Sequence, residues 1–259
     1  MNLSLDKELA KEYCNGSQIA RVLTEAWTAE NMYCPVCGWP TVEKFPNNRE
    51  AADFFCPHCE SQFEQKSRNG PFGHKISDGA YHTLVERITG NHNPDFLLMN
   101  YSLEKMRVEN LFFIPRYFFV PAVVEQRKPL AEGTRRAGWV GCNILLDRIP
   151  RQGRIAVVKD GRVLDKSAVL ERVRWAERIR TKNISSRGWL MDVLHCVNHT
   201  ENREFTLAEI YRFEAKLAGL HPGNHEVRAK IRQQLQMLRD RGIIDFLGNG
   251  HYRKRDTEK

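Results

Sequence analysis

The sequence contains no long uninterrupted hydrophobic run, which argues against an ordinary membrane-spanning helix. Its most apolar stretch, residues 111–124, is broken by Pro115, Arg116 and Pro121, whereas a spanning helix needs about 20 consecutive apolar residues. Internal repeats and low-complexity tracts are also absent. Residues 1–8 are too polar for a signal peptide. We therefore expect a cytoplasmic protein without a membrane partner.

The chain is poorer in acidic residues than in basic ones. Its 259 residues include 40 Lys and Arg against 32 Asp and Glu, which gives a formal charge of +8 and an isoelectric point near 9.2. Such a surplus favours polyanionic partners such as DNA, but it does not determine the fold. The length is sufficient for about two domains.

Four of the seven cysteines form two Cys-x-x-Cys pairs, Cys34 with Cys37 and Cys56 with Cys59, separated by eighteen residues. This spacing is typical of a zinc ribbon, in which two tight turns each present two thiolates to one tetrahedral ion. Two redox-active dithiols are the alternative, but similar pairs at this spacing favour one shared metal. A closed four-thiolate site has no open position for a substrate, so we expect structural Zn2+. The odd number of remaining cysteines argues for a reducing compartment.

An acidic residue and a Glu-x-Lys pattern flank the second cysteine pair, with Asp53 before it and Glu64 and Lys66 after it. Because side chains on a strand alternate between faces, Glu64 and Lys66 should point the same way, with Gln65 opposite. If Asp53 ends the neighbouring strand, two carboxylates and an ammonium converge. Two carboxylates suit Mg2+, and a nearby Lys can orient or activate water and stabilise charge on a phosphate. This pattern predicts a phosphodiester-cleaving site, although Glu-x-Lys alone also occurs in ordinary solvated hairpins.

The first part of the chain is predicted to be an α/β (α+β) core with a mixed sheet into which the four-cysteine zinc ribbon is inserted. Helical periodicity predicts a helix over residues 17–31 with Ser17 as its N-cap, and a second helix over residues 78–89. Residues 68–77 are predicted to be a loop. Short apolar runs predict strands over residues 95–101, 108–115, 143–146 and 154–158.

The C-terminal part has the element order of a winged helix-turn-helix. After a charged helix over residues 166–180 and a polar junction over residues 181–187, three helices and a glycine-tipped hairpin are predicted. The second of these helices starts at Thr206, which stands in capping-box spacing with Glu209. The three helices are predicted at residues 189–197, from residue 205 onward, and at residues 224–241. We therefore predict two domains, residues 1–182 and residues 183–259.

The third of these helices is the one that enters the DNA major groove in a winged helix. Its polar face carries His225, Arg232 and Gln233, and Arg228 lies on its basic flank. Arg and Gln can read guanine and adenine edges. The alternatives are that these positions are merely solvated, or that the module binds a protein, but the basic flanks favour DNA.

A further segment places Arg135 and Arg136 close to Trp139. Two arginines beside a flat apolar ring suit phosphate contacts next to an apolar surface. The alternative is that Trp139 begins a strand and is buried.

These stretches together resemble the DpnI-type family of methyl-directed type II restriction endonucleases. The resemblance extends from the N-terminal helix to the wing and is most specific in residues 53–66, 78–81, 135–143 and 231–247. It implies that Asp53, Glu64 and Lys66 are catalytic with Mg2+, and that the four paired cysteines bind Zn2+. It also implies the substrate, double-stranded DNA with N6-methyladenine in both strands of GATC.

Two other functions are open at this point. A non-catalytic regulator with a zinc ribbon and a winged helix would explain the charge, the cysteines and the third helix, but not the positions of Asp53, Glu64 and Lys66. A repair nuclease for branched or damaged DNA is the other alternative. None of these functions requires an obligate protein partner.

Overall fold

The computed structural model describes residues 1–46, 52–181 and 183–255. Lys182, at which the predicted domain boundary falls, lies outside the described residues. Packing divides the chain into two compact units, each built from three segments. The first unit comprises Met1–Ile76, Gly90–Arg116 and Gln152–Arg174, and the second comprises Ser77–Thr89, Tyr117–Arg151 and Trp175–Lys259. Within the described ranges, no helix combines the length and the hydrophobicity that a membrane crossing requires.

The chain alternates between helices and short strands. The helices are α1 (Gly16–Asn31), α2 (Tyr81–Thr89), α3 (Lys166–Glu177), α4 (Ile184–Asn198), α5 (Leu207–Tyr211), α6 (Glu214–Leu220) and α7 (Val227–Asp240). The strands are β1 (Glu43–Lys44), β2 (Phe54–Phe55), β3 (Gln62–Asn69), β4 (Lys75–Ala80), β5 (Asp95–Ser102), β6 (Arg107–Ile114), β7 (Val124–Gln126), β8 (Gly141–Leu145), β9 (Ile155–Lys159), β10 (Arg162–Val163), β11 (Glu204–Thr206), β12 (Ile244–Gly248) and β13 (His251–Lys254).

The first unit contains a mixed seven-stranded sheet in the order β1-β2-β3-β5-β6-β9-β10. Strand β3 runs parallel to β5, and β5 runs antiparallel to β6. Residues 95–101 of β5 are all buried, as is usual for a strand covered on both faces. The register aligns Glu64 with Phe96 and Lys66 with Leu98. The Glu-x-Lys segment is therefore anchored to the most deeply buried strand of the sheet.

Helix α1 begins one residue earlier than predicted. Asn15, and not Ser17, is the N-cap, because the Asn15 side chain accepts a hydrogen bond from the backbone N–H of Ser17. The apolar positions behave as the periodicity predicts, since Leu23 and Trp27 are buried. The indole N–H of Trp27 donates to the backbone carbonyl of Asn2 over 2.7 Å, which satisfies its polar group.

The prediction of a loop over residues 68–77 was wrong at both ends. Strand β3 continues to Asn69, and β4 begins at Lys75. Residues 78–80, predicted as the first turn of the second helix, belong to β4, so that the observed helix α2 starts at Tyr81. Strand β4 belongs to a separate three-stranded sheet of order β4-β8-β7. Its sequence contains Asp78 and Gly79, which have low strand propensity, so this strand depends on pairing that the local sequence does not reveal.

The C-terminal segment is a winged helix that differs from the prediction in its first two helices and in its wing. Helix α4 begins at Ile184, inside the predicted polar junction, and Asn183 caps it. The second predicted helix is broken into α5 and α6, although the capping box of Thr206 and Glu209 is present. The wing is a three-stranded sheet of order β11-β13-β12, of which β11 was not predicted.

Candidate active site

Asp53, Glu64 and Lys66 meet in one cleft of the first unit, with a volume of about 380 Å³. Helix α1 lines the cleft through residues between Ser17 and Glu25, and the sheet lines it through Asp53 and residues 64–67. Convergence was expected if Asp53 ended the neighbouring strand, and in the structure Asp53 directly precedes β2, which pairs antiparallel with β3. The three side chains therefore lie in the same cleft because β2 and β3 are neighbours.

The alternation of side chains along β3 is as predicted. The Lys66 ammonium pairs with the Glu64 carboxylate over 2.6 Å, and both side chains are largely buried, with 24% and 12% of their area exposed. Gln65 makes different contacts, because its Oε1 accepts from the hydroxyl of Thr28 in α1 over 2.6 Å and its Nε2 donates to Ser67 over 3.0 Å. Residues 64 and 66 thus share one set of contacts and residues 65 and 67 another.

The carboxylate of Asp53 is fixed by the backbone of β3. Its Oδ2 accepts a hydrogen bond of 2.7 Å from the backbone N–H of Gln65. The backbone N–H of Asp53 in turn donates to the carbonyl of Phe63 over 2.9 Å. This pairing, just beyond the short β2–β3 ladder, orients the carboxylate of Asp53 relative to β3.

Helix α1 adds charged groups to the cleft that the sequence did not single out. Glu25 lines the cleft together with Arg21, and its carboxylate pairs with the Lys44 ammonium over 2.7 Å. The Glu25 side chain is only 12% exposed, and Arg21 lies 4.0 Å from it. Arg21 and Glu25 stand four residues apart on a helix, a spacing that places them on one face. That spacing alone could have indicated from the sequence that they act together, and it does not indicate that they face the cleft.

The four paired cysteines form one cluster. Their Sγ atoms all lie within 4.8 Å of one another, and Cys34–Cys59 and Cys37–Cys56 are each 3.6 Å apart. A tetrahedral ion with Zn–S bonds of about 2.3 Å has S···S edges of about 3.8 Å, so this donor set fits such an ion. Among the residues that the structure describes, it is the sole group of three or more His, Cys, Asp or Glu side chains able to share a metal.

Each cysteine pair sits in a turn of the same form. The N–H of Gly38 donates to the Cys34 carbonyl, and the N–H of Glu60 donates to the Cys56 carbonyl, both over 2.9 Å. Gly38 has φ +82°, and a Cβ there would lie 3.0 Å from the side chain of Leu170. Glycine therefore avoids both backbone strain and this contact at position 38, whereas Glu60 adopts a similar backbone conformation with φ 59°. His58 in the second turn is exposed and stacks on Trp39, outside the cluster.

The segment with Arg135, Arg136 and Trp139 is a turn before β8. Both arginines are exposed, and Trp139 is half-buried. The Trp139 ring lies over Gly141, since a Cβ at Gly141 would approach it to 2.7 Å. Trp139 is therefore partly exposed, and its ring packs against the backbone of β8 at Gly141.

The winged helix presents three of the four predicted DNA-reading residues on α7. Arg228, Arg232 and Gln233 are exposed there, while Ile231, Leu235 and Leu238 are buried. His225 is exposed as well, but it precedes the helix, which starts at Val227. The prediction that the helix starts at Asn224 was wrong, because Asn224 closes a turn and bonds to the backbone N–H of Glu226.

Tyr211, at the end of α5, contacts the same surface and was not predicted. Its hydroxyl accepts a hydrogen bond from Arg232 over 2.8 Å, and its ring lies 5.0 Å from the guanidinium of Arg228. No sequence pattern links positions 211, 228 and 232, so only the packing of α5 against α7 reveals this contact.

Comparison with known families gives two matches that divide the chain between them. The model of the Dam-replacing family DpnI matches residues 1–182, and that of the Dam-replacing HTH domain matches residues 185–254. The chain belongs to the DpnI family. The resemblance inferred from the residues is thereby confirmed. Members of the DpnI family are methyl-directed restriction endonucleases, and the C-terminal HTH domain implies DNA binding.

The architecture agrees with the DpnI assignment. A mixed α/β core, a four-cysteine cluster and a C-terminal winged helix are all present, as predicted from the sequence.

Proposed function

We propose that this DpnI-family chain is a Mg2+-dependent type II restriction endonuclease. Its substrate would be double-stranded DNA whose GATC adenines carry N6-methyl groups on both strands. The observation that carries the proposal is the convergence of Asp53, Glu64 and Lys66 in one cleft of the family's matched region. A non-catalytic regulator would have no use for two carboxylates and an ammonium at this position.

The residues in the cleft suit Mg2+. This ion is usually held by one or two carboxylates, and waters and substrate phosphates complete its shell. Asp53 and Glu64 would be the two carboxylates. When bound, Mg2+ supplies a Lewis acid for the phosphate and a more acidic water. The Gln65 N–H aims the Asp53 carboxylate, and Lys66 holds the Glu64 carboxylate.

Lys66 has a second role once DNA is bound. Its ammonium lies at the Glu64 carboxylate, next to the place where charge develops on the scissile phosphate. A fixed cation there stabilises the transition state more than the ground state. We propose that the Lys66 ammonium also donates a hydrogen bond that orients the attacking water.

The cysteine cluster would hold a structural Zn2+ ion. Burial raises the pKa of the Cys34 thiol, so a bound cation is needed to keep it as a thiolate. Four thiolates close the tetrahedron and leave no position for a substrate. Since the second pair lies between Asp53 and Glu64, the ion would stabilise the hairpin that carries the catalytic residues. Reduced thiols at this site agree with a cytoplasmic location.

We further propose two domains with separate roles, residues 1–182 for cleavage and residues 183–259 for DNA binding. In the second, Arg228, Arg232 and Gln233 would face the major groove, with His225 at the edge of the contact. In the first, three residues of one turn would contact the methylated site. Arg135 and Arg136 would contact phosphates, and Trp139 would give the N6-methyl group an apolar surface.

Digestion of plasmid DNA tests the proposal. The same plasmid is prepared from an adenine-methylating host and from a host without that methylation, and each is incubated with the protein with and without Mg2+. Fragments at GATC sites should arise only from methylated plasmid with Mg2+. Binding without fragments would identify a regulator. Equal cutting of both plasmids, or cutting at branched junctions only, would favour the repair nuclease.

A further inference from the structure

Tyr211 contacts two arginines that lie one turn apart on α7. Arg228 and Arg232 are separated by four residues, so both lie on one face of the helix. Arg232 donates to the Tyr211 hydroxyl over 2.8 Å, and the guanidinium of Arg228 lies 5.0 Å from the centre of the Tyr211 ring. The second distance is within the range of a cation–π contact. One side chain of α5 therefore sets the positions of both arginines.

The two arginines differ in their remaining partners. The Nε of Arg228 donates to the Glu214 carboxylate over 2.8 Å, and this hydrogen bond and charge raise the pKa of Arg228. Arg232 bonds instead to the neutral phenol of Tyr211. A guanidinium has five N–H donors, so one bond to Tyr211 orients Arg232 and leaves donors for the bidentate contact that reads a guanine.

The ion pair between Arg228 and Glu214 can be broken at little cost, so that Arg228 can take another anionic partner. Both side chains are well exposed, Arg228 at 62% and Glu214 at 36%, and exposed ion pairs contribute little to stability. A guanidinium can donate two parallel hydrogen bonds to the oxygens of either a carboxylate or a phosphate. A DNA phosphate can therefore take the place of the Glu214 carboxylate without a large penalty.

We infer that Tyr211 is a positioning residue for base reading by Arg232, and that Glu214 occupies Arg228 until a DNA phosphate replaces it. The inference rests on the proposed role of α7 as the DNA-reading helix. It assigns different tasks to neighbouring arginines. Arg232 contributes to the choice of sequence, and Arg228 contributes to affinity for any duplex.

The test uses the full-length protein without added Mg2+, so that binding is measured and not cleavage. Fluorescence anisotropy gives the affinity for a duplex with a methylated GATC site and for a duplex of the same composition with the site scrambled. The variant Tyr211→Phe removes the bond to Arg232 and keeps the ring beneath Arg228. We expect it to reduce the preference for the GATC duplex by about fivefold, the effect of one lost hydrogen bond. Its salt dependence and its thermal midpoint should stay unchanged.

The variant Glu214→Gln keeps the shape of the side chain and removes its charge. We expect tighter binding to both duplexes and a salt dependence that is steeper by up to about 0.9 in log–log slope, because one more cation is available to a phosphate. Glu8→Gln is the matched control, since it adds the same charge at an exposed pair with Lys11. If Glu8→Gln has the same effect as Glu214→Gln, the role of Glu214 is overturned.

Two outcomes separate this inference from the proposed function. If Arg232→Ala leaves the preference for the GATC duplex intact, Arg232 does not read the sequence and the role proposed for it on α7 fails. If Arg232→Ala removes the preference and Tyr211→Phe retains it, only the positioning role of Tyr211 fails.

Discussion

The carboxylate of Asp53 accepts a hydrogen bond of 2.7 Å from the backbone N–H of Gln65, the residue between Glu64 and Lys66. This one bond ties the acidic residue before the second cysteine pair to the Glu-x-Lys segment after it. The geometry of the candidate site therefore depends on the β2–β3 hairpin as a whole.

The first prediction concerns the chemistry of the cleft. Asp53→Ala or Lys66→Ala should lower the cleavage rate by at least about 100-fold, because Asp53 would hold the Mg2+ ion and Lys66 would stabilise charge on the reacting phosphate. DNA binding should persist. Plasmid cleavage and duplex binding are measured side by side, with Glu12→Gln, at an exposed carboxylate outside the cleft lining, as the control. Undiminished cleavage by either variant would remove that residue from the active site.

The second prediction concerns the cysteine cluster. Cys56→Ser should lose bound zinc, lower the free energy of unfolding and reduce cleavage together, because structural zinc supplies folding free energy. Cys14→Ser, at an exposed cysteine that the cluster does not include, should change none of these. Elemental analysis, thermal unfolding and plasmid cleavage are the three measurements. A folded and active wild-type protein without zinc would contradict the prediction.

The third prediction concerns the C-terminal domain. Residues 183–259 produced alone should fold and bind duplex DNA without cutting it. Binding should weaken steeply between about 50 and 200 mM salt, because Lys and Arg contacts release counterions from DNA. Circular dichroism reports folding, and anisotropy reports binding. A folded fragment without DNA affinity at low salt would point to a protein-binding module.

The fourth prediction concerns the Trp139 ring. Trp139→Ala should reduce the preference for methylated over unmethylated sites, and Gly141→Ala should do the same, because a Cβ at position 141 would displace the ring. Gly79→Ala is the matched control, since no atom lies within 4 Å of a Cβ there. Arg136→Ala should instead weaken binding to all sequences alike.

Burying one methyl group favours the methylated site by only about 0.8 kcal/mol. Sharp discrimination therefore needs both methyl groups or a second site that reads them. A Trp139→Ala enzyme with its full preference for methylated DNA would show that the ring only supports the sheet.

The fifth prediction concerns pH. Burial, followed by the charges of His199 and Lys216, lowers the pKa of His195 from 6.5 to about 4. Between these values the unfolded chain binds a proton at this position and the folded protein does not. The free energy of unfolding should therefore fall as the pH is lowered from 6.5 to 4. His195→Asn should reduce this dependence in thermal unfolding relative to the wild-type protein. An unchanged pH dependence in His195→Asn would contradict the prediction.

The sequence predicts those parts of the molecule in which spacing alone determines proximity. The cysteine pairs, the alternation of Glu64 and Lys66 and the apolar face of α7 are of this kind, because each follows from a fixed geometry of turn, strand or helix. The matches to the two family models confirmed the family resemblance, and the order of helices and strands in the structure confirmed the winged helix. The side-chain roles proposed for these residues stay predictions.

The missed features depend on contacts between distant segments. Strand β4 contains residues of low strand propensity, and β11 has only three residues, so each forms because a partner strand is available. Tyr211 meets Arg232 across 21 positions of the chain. Gln65 was predicted only to point away from the site, and its bonds to Asp53 and Thr28 follow from packing that periodicity does not describe.

Strand β3 pairs with β5 in an unshifted register from Phe63 with Asp95 to Asn69 with Tyr101. A shift by one residue would move every side chain of β3 to the other face. Gln65 and Ser67, or Phe63 and Gln65, would then take the places of Glu64 and Lys66. An insertion or deletion of an odd number of residues within β3 would therefore exchange the side chains that face the cleft, whereas a change of length in residues 70–74, beyond the paired strand, would leave them in place.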